Sequence, residues 1–357
     1  MKRLLSFSLL RAVSLVFAVG IAVYLTILIA NMGGEVDKIQ EGMVRFEASQ
    51  SITRDPANRG LPPEMIREMI DEEVAQELRR LGMDRPFLVR SFLFLRNAVT
   101  LQLGQAQHLR SPSTGSSFVN RIIIERLPQT LLLFGTAELI LFFFALLMAL
   151  FLSRRYGSFL DRLTIGLAPS SAAPGWFYGI FLILIFAVWL NILPSGGYID
   201  SPAPTTTVAR ALSILKHMVL PLTAIVIGAL FASVYSWRTF FLIYSSDDHV
   251  ELAKAKGLSS RTVERRHILR PTLPMIMTSF LLMIIGMWMG QIILEGVFNW
   301  PGLGSLLYQA IQATDTAVIV GSVVIFGYML AATVFILDFL YGVLDPRIRV
   351  GLSGGGG

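Results

Sequence analysis

The chain has 357 residues, of which 54% are hydrophobic and only 15% are charged. A soluble domain has about 25% charged residues, so this much apolar surface cannot be buried in one water-soluble domain, and the composition predicts a membrane protein. The absence of cysteine excludes a disulfide-stabilised secreted scaffold. The net charge of +6 does not indicate nucleic-acid binding, because the basic residues lie in short clusters beside apolar runs and not on one polar face.

Six apolar stretches are long enough to cross a bilayer as helices. They lie at about residues 11–30, 130–152, 163–190, 218–243, 275–295 and 316–343. The first stretch is longer than the apolar core of a signal peptide and no A-x-A motif follows it, which indicates a retained anchor. The sequence therefore predicts an all-α polytopic membrane protein with six transmembrane helices.

The basic residues predict the orientation of these helices. With the N-terminus inside, the short cytoplasmic segments hold fourteen Lys and Arg residues, whereas the short outer segments 191–217 and 296–315 hold only Arg210 and Lys216. Positive residues accumulate on the cytoplasmic side of membrane proteins. We therefore expect both termini to be cytoplasmic, in a multi-pass protein of the plasma (inner) membrane.

This topology divides the chain into four segments. Residues 1–30 form the cytoplasmic N-terminus and the first transmembrane helix, 31–127 an extracytoplasmic segment, 128–345 a five-helix core, and 346–357 a cytoplasmic tail. In the outer segment, apolar residues at helical spacing between Ile66 and Leu81 predict one amphipathic helix, and residues 87–103 predict a second. Residues 111–117 are expected to form a flexible connector.

The sequence carries no recognisable catalytic motif. No lysine is followed by Ser or Thr, so the chain has no phosphate-binding loop for ATP, and its four histidines are scattered between outer and inner loops. Asp247, Asp248 and Glu251 resemble the acidic boxes that hold Mg²⁺-diphosphate in lipid-modifying enzymes, but a helix start capped by Asp248 explains them better. We predict no catalytic residue, no metal site and no cofactor bound by this chain.

The cytoplasmic loop 244–274 is the most informative segment. Its pattern predicts a short helix at 250–256, a break at Gly257, and a second helix at 261–269 that ends at Pro271 and Pro274. Two short helices joined by a sharp turn form a knob that can dock into a groove of another protein.

Four residues within the predicted spans are candidates for a translocation path. Glu138 lies inside the second span, where an ionisable side chain is costly and often functional. Met283, Met287 and Gln291 recur along one face of the predicted fifth span, and flexible Met side chains suit an accommodating path.

Several segments are similar, in chain order, to motifs of one family. They are LGMDRP (81–86), ERLPQTLLL (125–133), ELAKAKGL (251–258), RRHILRPTLP (265–274), FNWPGLGSLL (298–307) and DFLYGVLDPRIR (338–349). Together they resemble the B-type permease subunits of dipeptide, oligopeptide and nickel importers of the ATP-binding-cassette class. The chain departs from that family after its first span, where residues 35–63 look like an additional outer segment.

The resemblance implies a half-pore with the type I importer fold, for peptides or, alternatively, for oligosaccharides or nickel complexes. The implied partners are a homologous second permease subunit, two cytoplasmic subunits that bind ATP and Mg²⁺, an extracytoplasmic solute-binding protein and membrane lipid. The 248–258 helix would couple the pore to the ATPase through Asp248, Val250, Glu251, Ala253, Lys254, Ala255, Gly257 and Leu258. Two less favoured hypotheses are a freestanding secondary transporter and a lipid-modifying enzyme that uses the acidic cluster.

Overall fold

The computed structural model describes residues 2–31, 35–58, 60–80, 83, 86–287 and 290–344. Helices are the only regular elements among these residues, apart from one antiparallel bridge between Gln105 and Phe118. In chain order the α-helices are α1 (Lys2–Asn31), α2 (Glu35–Arg54), α3 (Pro63–Arg80), α4 (Phe87–Val99), α5 (Val119–Arg154), α6 (Phe159–Leu167), α7 (Gly175–Leu182), α8 (Thr207–Ser245), α9 (Asp248–Ala255), α10 (Ser260–Thr262), α11 (Arg270–Gly286), α12 (Ile292–Val297), α13 (Leu303–Gln312) and α14 (Thr316–Leu344). The predicted tail 346–357 lies outside the described residues.

Five helical stretches are long and apolar enough to cross a membrane. They are Leu10–Ile29, Val119–Arg154, Thr207–Ser245, Ser260–Ile284 and Thr316–Phe339. The helices Phe159–Ala172 and Gly175–Trp189 meet at a bend of 98° and give a sixth span if the bent pair is counted as one. The all-α class with five or six candidate spans is confirmed, and the predicted third span is two helices and not one. Pro174, which has no N–H to continue a helix, stands at the bend as the residue that precedes α7.

The chain divides into two compact units, and the first contains Met1–Arg126 and Leu306–Gly342. Its core joins α1, α4 and α14 through Val19, Val23, Ile27, Ala98 and Val324, all of them buried. The predicted amphipathic helix is present as α3, which packs its apolar stripe against α2 through Val74, Val44 and Ala48.

Residues 111–117 were expected to form a flexible connector, and this expectation is wrong. The backbone N–H of Ala106 donates to the carbonyl of Ser117, and that of Ser111 to the carbonyl of Ser116. The Ser111 hydroxyl is buried and lies 2.8 Å from both carboxylate oxygens of Glu125. Small polar residues therefore build a compact turn here, because their hydroxyl groups satisfy the local backbone and a carboxylate.

The second unit contains Leu127–Ser305. Its helices enclose two apolar clusters, one around Leu133, Ala224, Leu294 and Trp300, and the other around Ala145, Ala149, Phe241 and Ile276. The α7 and α8 backbones cross in close contact, since a Cβ added to Gly228 would lie 3.0 Å from the Cα of Gly175. This unit carries all the residues predicted to couple or to line the path.

Candidate coupling helix and solute path

The first turn of α9 is capped by Asp247. Its carboxylate accepts a hydrogen bond from the backbone N–H of His249, so it satisfies one of the N–H groups left unpaired at a helix start. We predicted Asp248 as the cap, and the structure corrects this by one residue: Asp248 is the first helical residue. Glu251 consequently does not occupy the position of a capping box.

The α9 helix ends at Ala255, and the chain breaks away from it at Gly257, as the sequence predicts. Gly257 has a φ of +74°, a conformation that glycine adopts without steric cost. Its N–H donates to the carbonyl of Lys254 at 2.9 Å, and the N–H of Leu258 donates to the carbonyl of Ala253 at 3.3 Å. This pair of bonds is the Schellman pattern of helix termination.

The predicted coupling residues divide into an inner and an outer set. Val250 and Ala253 are buried against Val263 and Ile268, so they anchor the helix. The remaining six are exposed: Asp248, Glu251, Lys254, Ala255, Gly257 and Leu258. Leu252 is also 56% exposed and was not among the predicted residues, although a leucine between charged residues on a short surface helix could have identified it.

Polar contacts hold α9 to its surroundings at both ends. The Lys254 ammonium donates to the carbonyl of Ser245 at the end of α8, at 3.2 Å. At the other end, the His249 imidazole lies between the Asp247 carboxylate and the carbonyl of His267. Hydrogen bonding to Asp247, and then to the His267 carbonyl, raises the pKa of His249, and the same histidine lowers the pKa of Asp247.

The helix after Gly257 does not end at the two prolines, contrary to the prediction. Helical structure continues from Ser260 to Gly286 through Pro271 and Pro274, with a wider π-helical segment over Val263–Leu269. A proline lacks the N–H that an α-helix requires and crowds the preceding turn. The wider segment directly before Pro271 is the kind of local adjustment that lets a helix pass a proline.

The continuous helical face predicted for the fifth span is wrong, whereas the path itself stays a prediction. The α11 helix ends at Gly286, and Gln291 is the extended residue that precedes the separate helix α12, so Gln291 does not share a helical face with Met283 and Met287. Met283 packs against the apolar cluster around Phe241. A Cβ added to Gly135 would lie 2.9 Å from the methyl carbon of Met287, so this methionine occupies the space that glycine leaves on α5.

Glu138 lies on α5, three residues after Gly135. Its side chain is half-buried, and no other described residue makes a hydrogen bond or ion pair with it. Its carboxylate therefore has no partner among the residues that the structure describes, and it is the one ionisable residue of the predicted path.

A buried carboxylate that we did not predict as a site organises the segment 290–305. Glu295 is fully buried, accepts from the Thr130 hydroxyl at 3.1 Å and accepts from the backbone N–H of Ser305 at 2.8 Å. The N–H of Leu303 donates to the same Thr130 hydroxyl at 2.7 Å. The carboxylate thus lies at the N-terminus of α13, where exposed N–H groups favour a negative charge.

Comparison with known proteins places this architecture in a family. Residues 141–350 match the family of binding-protein-dependent transport system inner membrane components. The chain belongs to that family. The match covers more than half of the chain and includes α9, Glu295 and the 298–307 segment, so the protein is an inner membrane transport component and its membrane location is confirmed.

Relatives of known description agree over most of their length. The di/tripeptide transport system permease protein DppB of Pseudomonas aeruginosa is 30% identical over 293 residues, which are 77% of this chain and 84% of the relative. A putative peptide permease protein of Brucella suis is 29% identical over 309 residues, 85% of this chain and 92% of the relative. The dipeptide transport system permease protein DppB of Bacillus subtilis is 28% identical over 273 residues, 76% of this chain and 82% of the relative.

Proposed function

We propose that this inner membrane component forms half of the translocation pore of an ATP-driven importer of short peptides. The names of the relatives support peptides over the oligosaccharides and nickel complexes that the sequence left open. The family description supports a solute-binding protein on the outer side. The other half of the pore would be a homologous permease subunit.

The observation that carries the coupling proposal is the two-sided character of α9. Its inner side is fixed by Val250 and Ala253, whereas its outer side presents Glu251, Leu252 and Lys254 to solvent. A short helix that is firmly seated and yet exposes a leucine among charges is suited to a groove on a partner protein. We assign that groove to a cytoplasmic ATP-binding subunit. That subunit would bind the ATP and Mg²⁺, because this chain has no phosphate-binding loop.

The exposed carboxylate of Glu251 provides the first test. We expect Glu251→Arg to leave the chain folded in the membrane but to reduce several-fold the ATP-binding subunits recovered with it, because the new charge replaces an acid on the docking face. The matched control is Arg162→Glu, a charge reversal at an exposed cytoplasmic residue of α6. The measurement is affinity purification of the tagged chain from native membranes in a mild detergent, followed by quantitative mass spectrometry.

Recovery of ATP-binding subunits with the wild type and the control, but not with Glu251→Arg, would support the proposal. Purification of the folded wild-type chain without any ATP-binding subunit would refute it.

Energy-dependent uptake of labelled dipeptide and tripeptide mixtures by membrane vesicles tests the solute class separately. We expect vesicles that contain the chain to take up the peptides and vesicles that lack it not to do so.

A further inference from the structure

Both ring nitrogens of His249 have hydrogen-bond acceptors. Nδ1 lies 2.9 Å from the Asp247 carboxylate, and Nε2 lies 2.9 Å from the backbone carbonyl of His267. A carboxylate and a carbonyl can only accept, whereas a neutral imidazole has only one N–H to donate. The two contacts are therefore satisfied together only by the imidazolium, which carries a proton on each nitrogen.

The His267 carbonyl is available to His249 for a reason that lies in the sequence. The α-helical donor to this carbonyl would be the N–H of Pro271, four positions later, and proline has no N–H. His267 lies in the π-helical segment Val263–Leu269, and its carbonyl accepts from the imidazole of His249. The contact joins residues that are 18 positions apart.

We propose that His249 is a positioning residue whose imidazolium fixes the start of α9 to the base of the helix that continues into α11. The apolar contacts of Val250 and Ala253 hold the middle of α9 on the same segment, and His249 prevents rotation about them by holding a second point. The consequence for transport rests on the proposed function: displacement of α9 by an ATP-binding subunit would be passed to the α11 span as one rigid unit.

The charges around His249 favour its protonated form. Asp247 and Asp248 both raise its pKa, after the direct hydrogen bonds. In the segment 263–269, Glu264 is ion-paired with Arg154, and the other ionisable side chains are Arg265, Arg266 and His267. The last turns of α8, residues 239–246, contribute only Tyr244 as an ionisable group.

The direction of the pH dependence follows from the two pKa shifts. The pKa of His249 is raised in the folded chain, so its contribution is complete below about pH 6.5, the ordinary value, and is lost as the pH rises through the raised pKa. The pKa of Asp247 is lowered, so its contribution is lost only in acid. The attachment is strongest between these limits.

Spin labels can measure this attachment directly, because the chain has no cysteine to label elsewhere. Leu252→Cys on α9 and Ser236→Cys on α8 are exposed positions for a nitroxide pair. Pulsed electron resonance on the full-length chain in lipid nanodiscs gives their distance distribution on both sides of the histidine range, at about pH 5.5 and about pH 8.5. We expect a narrow distribution at the lower pH and a broad one at the higher pH.

Three further variants separate the imidazolium from other causes. His249→Phe keeps a flat ring without donors, and its distance distribution should be broad at both pH values. His249→Arg keeps a planar, permanently charged donor group, and its distance distribution should be narrow at both pH values. His108→Phe replaces an exposed histidine of the outer segment and should behave as the wild type.

Distributions that are the same at both pH values in the labelled chain with the native His249 would overturn the proposal, and this comparison needs no substitution at His249. Equal widths for the wild type and His249→Phe at the lower pH would overturn it as well. Because the experiment uses the chain without an ATP-binding subunit, a failure here is distinct from a failure of the proposed function, which shows only in the purification of partner subunits.

Discussion

Asp161 and Arg238 form a buried ion pair between α6 and α8. Arg238 donates to both carboxylate oxygens, with its Nη2 2.7 Å from Oδ2 of Asp161, and the N–H of Gly157 donates to the same carboxylate. Arg238 also lies over the ring of Tyr156. The two residues are 77 positions apart in the chain, and both are almost completely buried. Two buried charges are tolerated here because the guanidinium and the carboxylate form an ion pair and hydrogen-bond to each other.

The removal of one partner of this pair should be costly. Asp161→Asn leaves the Arg238 guanidinium buried without a counter-charge, which costs about 3–5 kcal/mol in comparable pairs. The matched comparison is Lys216→Gln, which breaks the exposed pair of Lys216 with Asp200 and should cost at most about 1 kcal/mol. Thermal unfolding of the purified chain measures both, and equal melting temperatures for the two variants would contradict the structural argument.

At the scale of elements, the segment around α12 and the start of α13 is built on one carboxylate. Gly302 is part of this arrangement, because a Cβ added there would lie 2.5 Å from Oε2 of Glu295 and would also strike the Thr130 hydroxyl. Gly296, in the same segment, has open space on its Cβ side. Gly296 therefore has room for a side chain and Gly302 does not, although nothing in the sequence distinguishes the two glycines.

This difference gives a prediction with an internal control. Gly302→Ala should destabilise the chain by about 1–3 kcal/mol, as overpacking of a dense interior does, and should disturb the hydrogen bonds to Glu295. Gly296→Ala should not destabilise the chain, since its Cβ meets open space and alanine favours the helix in which it lies. Melting temperatures of the two variants test the pair, and a tolerated Gly302→Ala would show that the carboxylate is not as enclosed as described.

At the scale of the whole molecule, the first and the last described helices meet in the first compact unit. The α1 and α14 helices pack together with α4, and Arg11 forms an ion pair with Asp338 across 327 positions of sequence. The Tyr328 hydroxyl on α14 donates to the carbonyl of Val99 at 2.9 Å. The first predicted span is therefore an integral helix of this unit.

The Arg11–Asp338 pair predicts a charge-swap rescue. Asp338→Arg alone places two cations together and should lower the melting temperature of the chain, because like charges repel where opposite charges had paired. The double variant Arg11→Asp with Asp338→Arg should recover most of the loss. A double variant no more stable than the single one would indicate that the pair does not hold the two helices together.

The sequence by itself determined the features that depend on local chemistry. Apolar length predicted the membrane spans and Gly257 predicted the break after α9, because each of these depends on residues that are neighbours in the chain. The orientation of the spans, read from the charge distribution, stays a prediction. The resemblance of the 251–274 and 298–307 segments to a permease family was likewise readable from short motifs, and the family match confirmed it.

Only the tertiary structure decided how distant residues are used. Pro271 appeared to end a helix, but the helix passes it through a wider turn whose carbonyl receives a donor from His249. Gln291 appeared to continue a face with Met287, but the chain adopts a left-handed conformation at Gly290 and begins a new helix. Asp161 and Arg238 carry no local signal of their pairing. In each case the outcome depends on a contact between segments, which periodicity and local propensity do not encode.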